Sequence, residues 1–150
     1  AALERSTKLN IAFFFGDREV KDILMRDMLE QLANTHTHRF KLVYCVGSRY
    51  NNIHMGANAK NKGEYRPPPV PEGYEDLDRH EENIYKKLGW IDHEVLCQHA
   101  PPPSDAHRVV VCGLPGVYDK LCGSRFENGV LPEDCVLARL GFSPHQVIKM

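Results

Sequence analysis

The sequence predicts an α/β protein built on a doubly wound parallel sheet, and three stretches predict it. Residues 9–15 (Leu-Asn-Ile-Ala-Phe-Phe-Phe) and Phe40 to Val46 are apolar on both faces, as strands inside a parallel sheet are. Between them Val20, Ile23, Leu24, Met28 and Leu32 recur at helical spacing. Val109-Val110-Val111-Cys112 then repeats the strand pattern and runs into Gly113 and a second helical stretch. This order implies right-handed parallel crossovers.

Each further element has its own signal. Gly16-Asp17 turns the chain, Asp17 caps the first helix and Asn34 stops it. Residues 47–88 are polar and Pro-rich without periodicity, with Arg66-Pro67-Pro68-Pro69-Val70-Pro71 at their centre. They read as a long surface excursion, partly in polyproline II form. An inert spacer and a dock for an SH3-like partner are its two readings. Within it, the mixed charges of residues 75–82 read as a solvated face. Regular structure is expected to resume at Gly89-Trp90-Ile91, with Trp90 as a core anchor. Asp92 then caps a short helix through Val95 and Leu96 to His99. Pro101-Pro102-Pro103 ends that helix and leads into a strand over 108–112. A helix follows from Pro115 to Cys122, then a loop from Gly123 to Gly129. Pro132 opens another helix that Gly141 ends, and Gln146 to Lys149 form a last, edge-like strand.

Composition narrows the function. With 150 residues, 42% hydrophobic and 26% charged, the chain is one ordinary globular domain's worth. A formal net charge of −1 gives no reason to expect nucleic acid or an anionic membrane as partner. No apolar run is long enough for a membrane segment. The five cysteines, Cys45, Cys97, Cys112, Cys122 and Cys135, lack any C-x-x-C pair, so a reducing, intracellular setting is expected. His36-Thr37-His38 and Cys97-Gln98-His99 lack a partner pair at zinc spacing, so no metal is expected.

The chemistry gathers after the third strand. A β-branched run ends in Cys112, then Gly113-Leu114-Pro115-Gly116 starts a helix. Gly113 lets backbone N–H groups come close to a ligand, and Pro115 suits a first helical turn. The helix start favours an anion such as a pyrophosphate. With a thiol at its lip, the turn reads as a seat for a nicotinamide nucleotide. The competing reading of Cys112 is a small buried hydrophobe closing a strand. A thiol sealed in a dry interior would therefore end the nucleotide reading.

With these residues placed, the chain resembles the nucleotide-binding half of the NADH–cytochrome b5 reductase branch of the ferredoxin reductase superfamily. The matching segments are Asp22-Ile23-Leu24-Met25-Arg26-Asp27-Met28-Leu29, Phe40-Lys41-Leu42-Val43-Tyr44, Gly89-Trp90-Ile91, Pro101-Pro102-Pro103, Val111-Cys112-Gly113-Leu114-Pro115-Gly116 and Val136-Leu137-Ala138-Arg139-Leu140-Gly141-Phe142. They occur in the family's order and cover most of the chain outside residues 47–88. The resemblance implies hydride transfer from NADH or NADPH to FAD, then single electrons to a haem protein such as cytochrome b5. It implies that Cys112 lies beside the nicotinamide and that Gly113, Leu114, Pro115 and Gly116 shape its pocket. Gly16 and Asp17 would line the nucleotide groove.

NADH-using relatives carry Asp at about the position of Gly47, whereas Gly47-Ser48-Arg49 here resembles a 2′-phosphate site. The resemblance favours NADH, and NADPH stays open. Leu114 stands where the family usually has Pro, and Met150 where relatives often have an aromatic residue near the flavin. The FAD domain and the family's opening Gly-rich strand have no counterpart, while Ala1 to Ser6 read as the end of the helix after that strand. The chain is therefore expected to lack its first strand, to belong to a larger polypeptide and to be inactive alone. Its setting would be cytoplasmic, or the cytosolic face of the endoplasmic reticulum or mitochondrial outer membrane if an anchor lies upstream. The other reading is a nucleotide-binding or protein-interaction module without redox activity.

Overall fold

Phe40–Val46 has an aromatic or β-branched residue at four of its seven positions, which suits a strand covered on both faces. In a computed structural model that describes residues 2–6, 8–17, 19–46 and 83–150, this segment is strand β2 with the expected bounds. Every residue from Leu42 to Val46 is buried. Strands β1 (Ile11–Asp17) and β3 (Ile84–Leu88) flank it in parallel, in the order β1-β2-β3. The register sets Asp17 beside Val46 and Val46 beside Leu88, so the C-terminal ends of all three strands share one rim.

Alternation along β2 then assigns its faces. Phe40, Leu42, Tyr44 and Val46 join Ile84 and Leu29 and Ala33 of helix α2 (Arg26–Thr35) in one core, with Leu3 of helix α1 (Ala2–Arg5). Polar side chains close the joints of this unit. Asn83 Nδ2 donates to Ala33 O at 2.6 Å and Phe40 O at 3.3 Å, tying the end of α2 to the starts of β2 and β3. Arg39 Nη1 donates to Leu3 O and Ser6 O at 3.0 and 2.7 Å, meeting carbonyls that the end of a helix leaves open.

Several expectations change here. Asp17 is not a helix cap: pairing with Val46 extends β1 through it. A 3-10 turn at Val20–Asp22 follows, Met25 takes a left-handed φ of 55°, and α2 begins only at Arg26. The buried face of α2 is Leu29 and Ala33, while Leu24 and Met28 are exposed. β1 is half-buried rather than covered on both faces, and among the described residues only β2 pairs with it. Regular structure is present at Ile84–Leu88, ahead of Gly89, because main-chain pairing to β2 makes a strand of a segment whose Lys86 and Lys87 hide the apolar pattern. The rest of the expected excursion, 47–82, lies outside the described residues.

The chain divides into two units, Ala1–Ile91 and Asp92–Met150. The second carries helix α3 (His93–His99), strand β4 (Val109–Val111), helices α4 (Pro115–Leu121) and α5 (Val136–Arg139), and strand β5 (Val147–Lys149). Asp92 caps α3 as expected, accepting from Val95 N–H at 3.0 Å. β4 and β5 pair in parallel, so the described residues form two parallel sheets rather than one. α5 starts four residues after Pro132, whose ring packs where a Cβ on Gly123 would lie, 2.6 Å from its Cδ and Cγ. β5 starts at Val147, not Gln146. The buried Gln146 side chain is spent on bonds to Ser104 O (2.6 Å, donated) and Ser143 N–H (2.9 Å, accepted).

Two substitutions test this packing. Asn83→Ala leaves the Ala33 and Phe40 carbonyls without their donor and is expected to cost about 1–3 kcal/mol in urea unfolding. Tyr44 has a buried hydroxyl with no hydrogen-bond partner, and burial, with the Glu30 carboxylate adding to it, pushes its phenol above the ordinary 10.0. The fold holds the neutral phenol, so stability is full below pH 10 and falls above it as the unfolded chain ionises. Tyr44→Phe is expected to keep or raise stability at pH 7 and to shrink that alkaline loss, read from unfolding at pH 7 and 10.5.

Candidate functional site

Parallel pairing of β4 with β5 sets Val110 beside Ile148, and both are exposed on one face. The two-residue repeat of a strand carries that face on to Cys112 and Met150. Met150 N–H donates to Val111 O at 3.1 Å, so the ladder persists to that level. The Cys112 thiol is free and exposed, not sealed in the interior. Cys45, Cys122 and Cys135 are the buried ones, and burial pushes the Cys122 thiol up, which keeps it protonated.

After Cys112 the turn does two different jobs. A Cβ on Gly113 would lie 3.2–3.3 Å from the Val117 side chain, so this glycine lets the turn pack against α4. At Gly116 an added Cβ would meet nothing within 4 Å, so the open approach is here. Leu114 precedes α4 without a side-chain cap and is 71% exposed, and Pro115 is the first helical residue, as expected. The anion-binding capacity is smaller than the sequence implied. Pro115 has no N–H and Val117 N–H donates to Leu114 O at 2.9 Å, leaving Gly116 as the bare donor of the first three positions.

The remaining candidates stand in the first unit or outside the described residues. Gly16 and Asp17 end β1 opposite Cys45 and Val46, and a Cβ on Gly16 would lie 3.5 Å from Ile91 Cδ1. Gly47, Ser48 and Arg49 lie outside the described residues. The structure therefore brings together Cys112, Gly113, Leu114, Pro115 and Gly116. It adds two residues that sequence reasoning passed over. Tyr118 donates its hydroxyl to the backbone oxygen of Met150. Lys149 Nζ donates to Ser124 O, Glu127 O and Val130 O at 2.8, 3.0 and 3.0 Å. Neither has a local sequence signal, since each partner is 19 to 32 residues away.

Comparison with known proteins bears on the same residues. The family model described as an oxidoreductase NAD-binding domain matches residues 1–60. An NADH-cytochrome b5 reductase 2 of Meyerozyma guilliermondii is 29% identical over 147 residues, which are 95% of this chain and 38% of that protein. The same enzyme of Scheffersomyces stipitis is 28% identical over 145 residues, 95% of this chain and 38% of the relative. An NADH-cytochrome b5 reductase 3 of Rattus norvegicus is 26% identical over 120 residues, 80% of this chain and 30% of the relative. Along most of its length the chain is thus similar to the C-terminal third or so of NADH-cytochrome b5 reductases, and its first 60 residues match the oxidoreductase NAD-binding domain model. It spans little more than a third of the length of the curated relatives it matches, 38% in the first two. No helix among the described residues is long and apolar enough to cross a membrane.

Because Gly116 has open space around it, Gly116→Ala is expected to stabilise α4 by about 0.5–1 kcal/mol, through better helix propensity alone. Thermal unfolding checks it, and a loss of stability would mean that the space is not open.

Proposed function

We propose that this chain is the nicotinamide-nucleotide-binding part of a flavoprotein oxidoreductase that passes a hydride from NADH to FAD, then electrons to a haem protein such as cytochrome b5. The observation that carries the reading is the free, exposed Cys112 thiol at the C-terminal end of a parallel strand, where α/β sheets take ligands. The residues present fit a flat ring with a phosphate tail. Exposed Val110, Ile148 and Met150 would offer the ring an apolar row on the face that strand alternation gives Cys112, and Gly116 leaves the backbone open after it.

When bound, the cofactors supply the redox chemistry, NADH as hydride donor and FAD as acceptor. The chain's own residues would bind and orient. Cys112 would stand beside the nicotinamide and keep water from it, while Gly113, Leu114, Pro115 and Gly116 shape the pocket. Gly16 and Asp17 would line the nucleotide groove, and Gly47, Ser48 and Arg49 would meet its ribose end. Ser48-Arg49 keeps NADPH as the alternative donor. The FAD domain would belong to the same polypeptide. A further strand against the open edge of β1 would complete a doubly wound sheet, and the half-exposed β1 supports this. Five cysteines, none of them in a disulfide, support a reducing, intracellular setting.

Cys112→Ala in the full-length protein tests the reading. NADH-driven ferricyanide reduction is expected to slow about tenfold. Stability should change by less than about 1 kcal/mol, because the thiol is exposed. An unchanged rate, or a full-length protein without flavin, would favour a binding module that has no redox activity.

A further inference from the structure

The end of β5 is held more firmly than three residues of strand require. Met150 N–H is bound to Val111 O at 3.1 Å, and its backbone oxygen accepts from the buried Tyr118 hydroxyl. The Tyr118 ring has the Arg125 guanidinium over it, 5.9 Å from the ring centroid. Arg125 belongs to the loop whose carbonyls at Ser124, Glu127 and Val130 close around the Lys149 ammonium at 2.8–3.0 Å. The contacts form a circuit: Lys149 fixes the loop, the loop carries Arg125 onto Tyr118, and Tyr118 fixes the residue that follows Lys149.

The one side chain that this circuit aims without enclosing is Met150. It is 59% exposed and stands in the same row as Cys112. A phenylalanine at position 118 would fill the same space, so packing does not explain the hydroxyl. Its bond sets where the backbone of Met150 lies, and with it the thioether beside the thiol. We infer that Tyr118 is a positioning residue: through the backbone of Met150 it holds that side chain against the ligand face beside Cys112. The inference rests on the nucleotide reading above.

The test uses Tyr118→Phe, Met150→Ala and the double variant in the full-length flavin-loaded protein. NADH-driven ferricyanide turnover and the rate of Cys112 alkylation by iodoacetamide are both measured. Peptide mass spectrometry follows Cys112, with exposed Cys97 as internal reference. Tyr118→Phe is expected to lower kcat about three- to tenfold with little change in KM for NADH, and to raise the Cys112:Cys97 alkylation ratio about two- to threefold. The double variant should be no worse than Met150→Ala alone, because both act through one side chain. Additive losses would make Tyr118 merely structural and overturn the inference, as would an unchanged alkylation ratio. If the wild-type protein shows no NADH-dependent turnover, the nucleotide reading fails. The alkylation ratio then still decides whether Tyr118 holds Met150 beside the thiol.

Discussion

Parallel pairing is the constraint on which the rest of this structure depends. Parallel neighbours cannot be joined by a tight hairpin, so each strand must be followed by a return across the sheet. Within each sheet the strands then end on the same rim. In the first unit Asp17, Val46 and Leu88 share that rim, and in the second Val111 and Lys149 do. A residue just past such a strand is placed by a rigid ladder, which would suit contact with a ligand. Cys112 and Met150 stand there, one step past β4 and β5.

Polar side chains do the joining that apolar packing cannot. Asn83, Arg39, Gln146 and Lys149 each donate to backbone carbonyls outside the sheets and helices' own ladders. The Lys149 ammonium takes three carbonyls, so it substitutes for the repeating bonds that the loop after α4 lacks. Tyr44 is the contrast. Its hydroxyl lies in the core with no partner, so its ring contributes through packing, edge-on to Phe15 at 6.4 Å.

Cysteines and glycines divide by environment, and that division separates structure from chemistry. Cys45, Cys122 and Cys135 are buried and serve as small core residues, whereas Cys112 meets solvent beside a turn. Gly113 is there because Val117 needs the space, and Gly116 stands where nothing in the chain needs it. A ligand approaching the backbone would find Gly116 first. The short helix behind it offers little dipole and one bare donor, so in the proposed site contact with the thiol row would carry more of the binding than anion capture.

By itself the sequence determined what local rules determine. The bounds of β2, the Asp92 cap of α3, the stop before Pro101 and Pro115 at the head of α4 follow from residue type and spacing. The Cys112–Gly116 turn was legible for the same reason. The tertiary structure decided what depends on partners far along the chain. β1 runs through Asp17 because Val46 is opposite it, and Ile84–Leu88 becomes a strand because β2 has an edge to offer. Tyr118 reaches Met150 across 32 residues, and only folding sets that distance. Capping and spacing act within a turn or two of chain, whereas a ladder bond or a buried carbonyl recruits whichever residue the fold brings near.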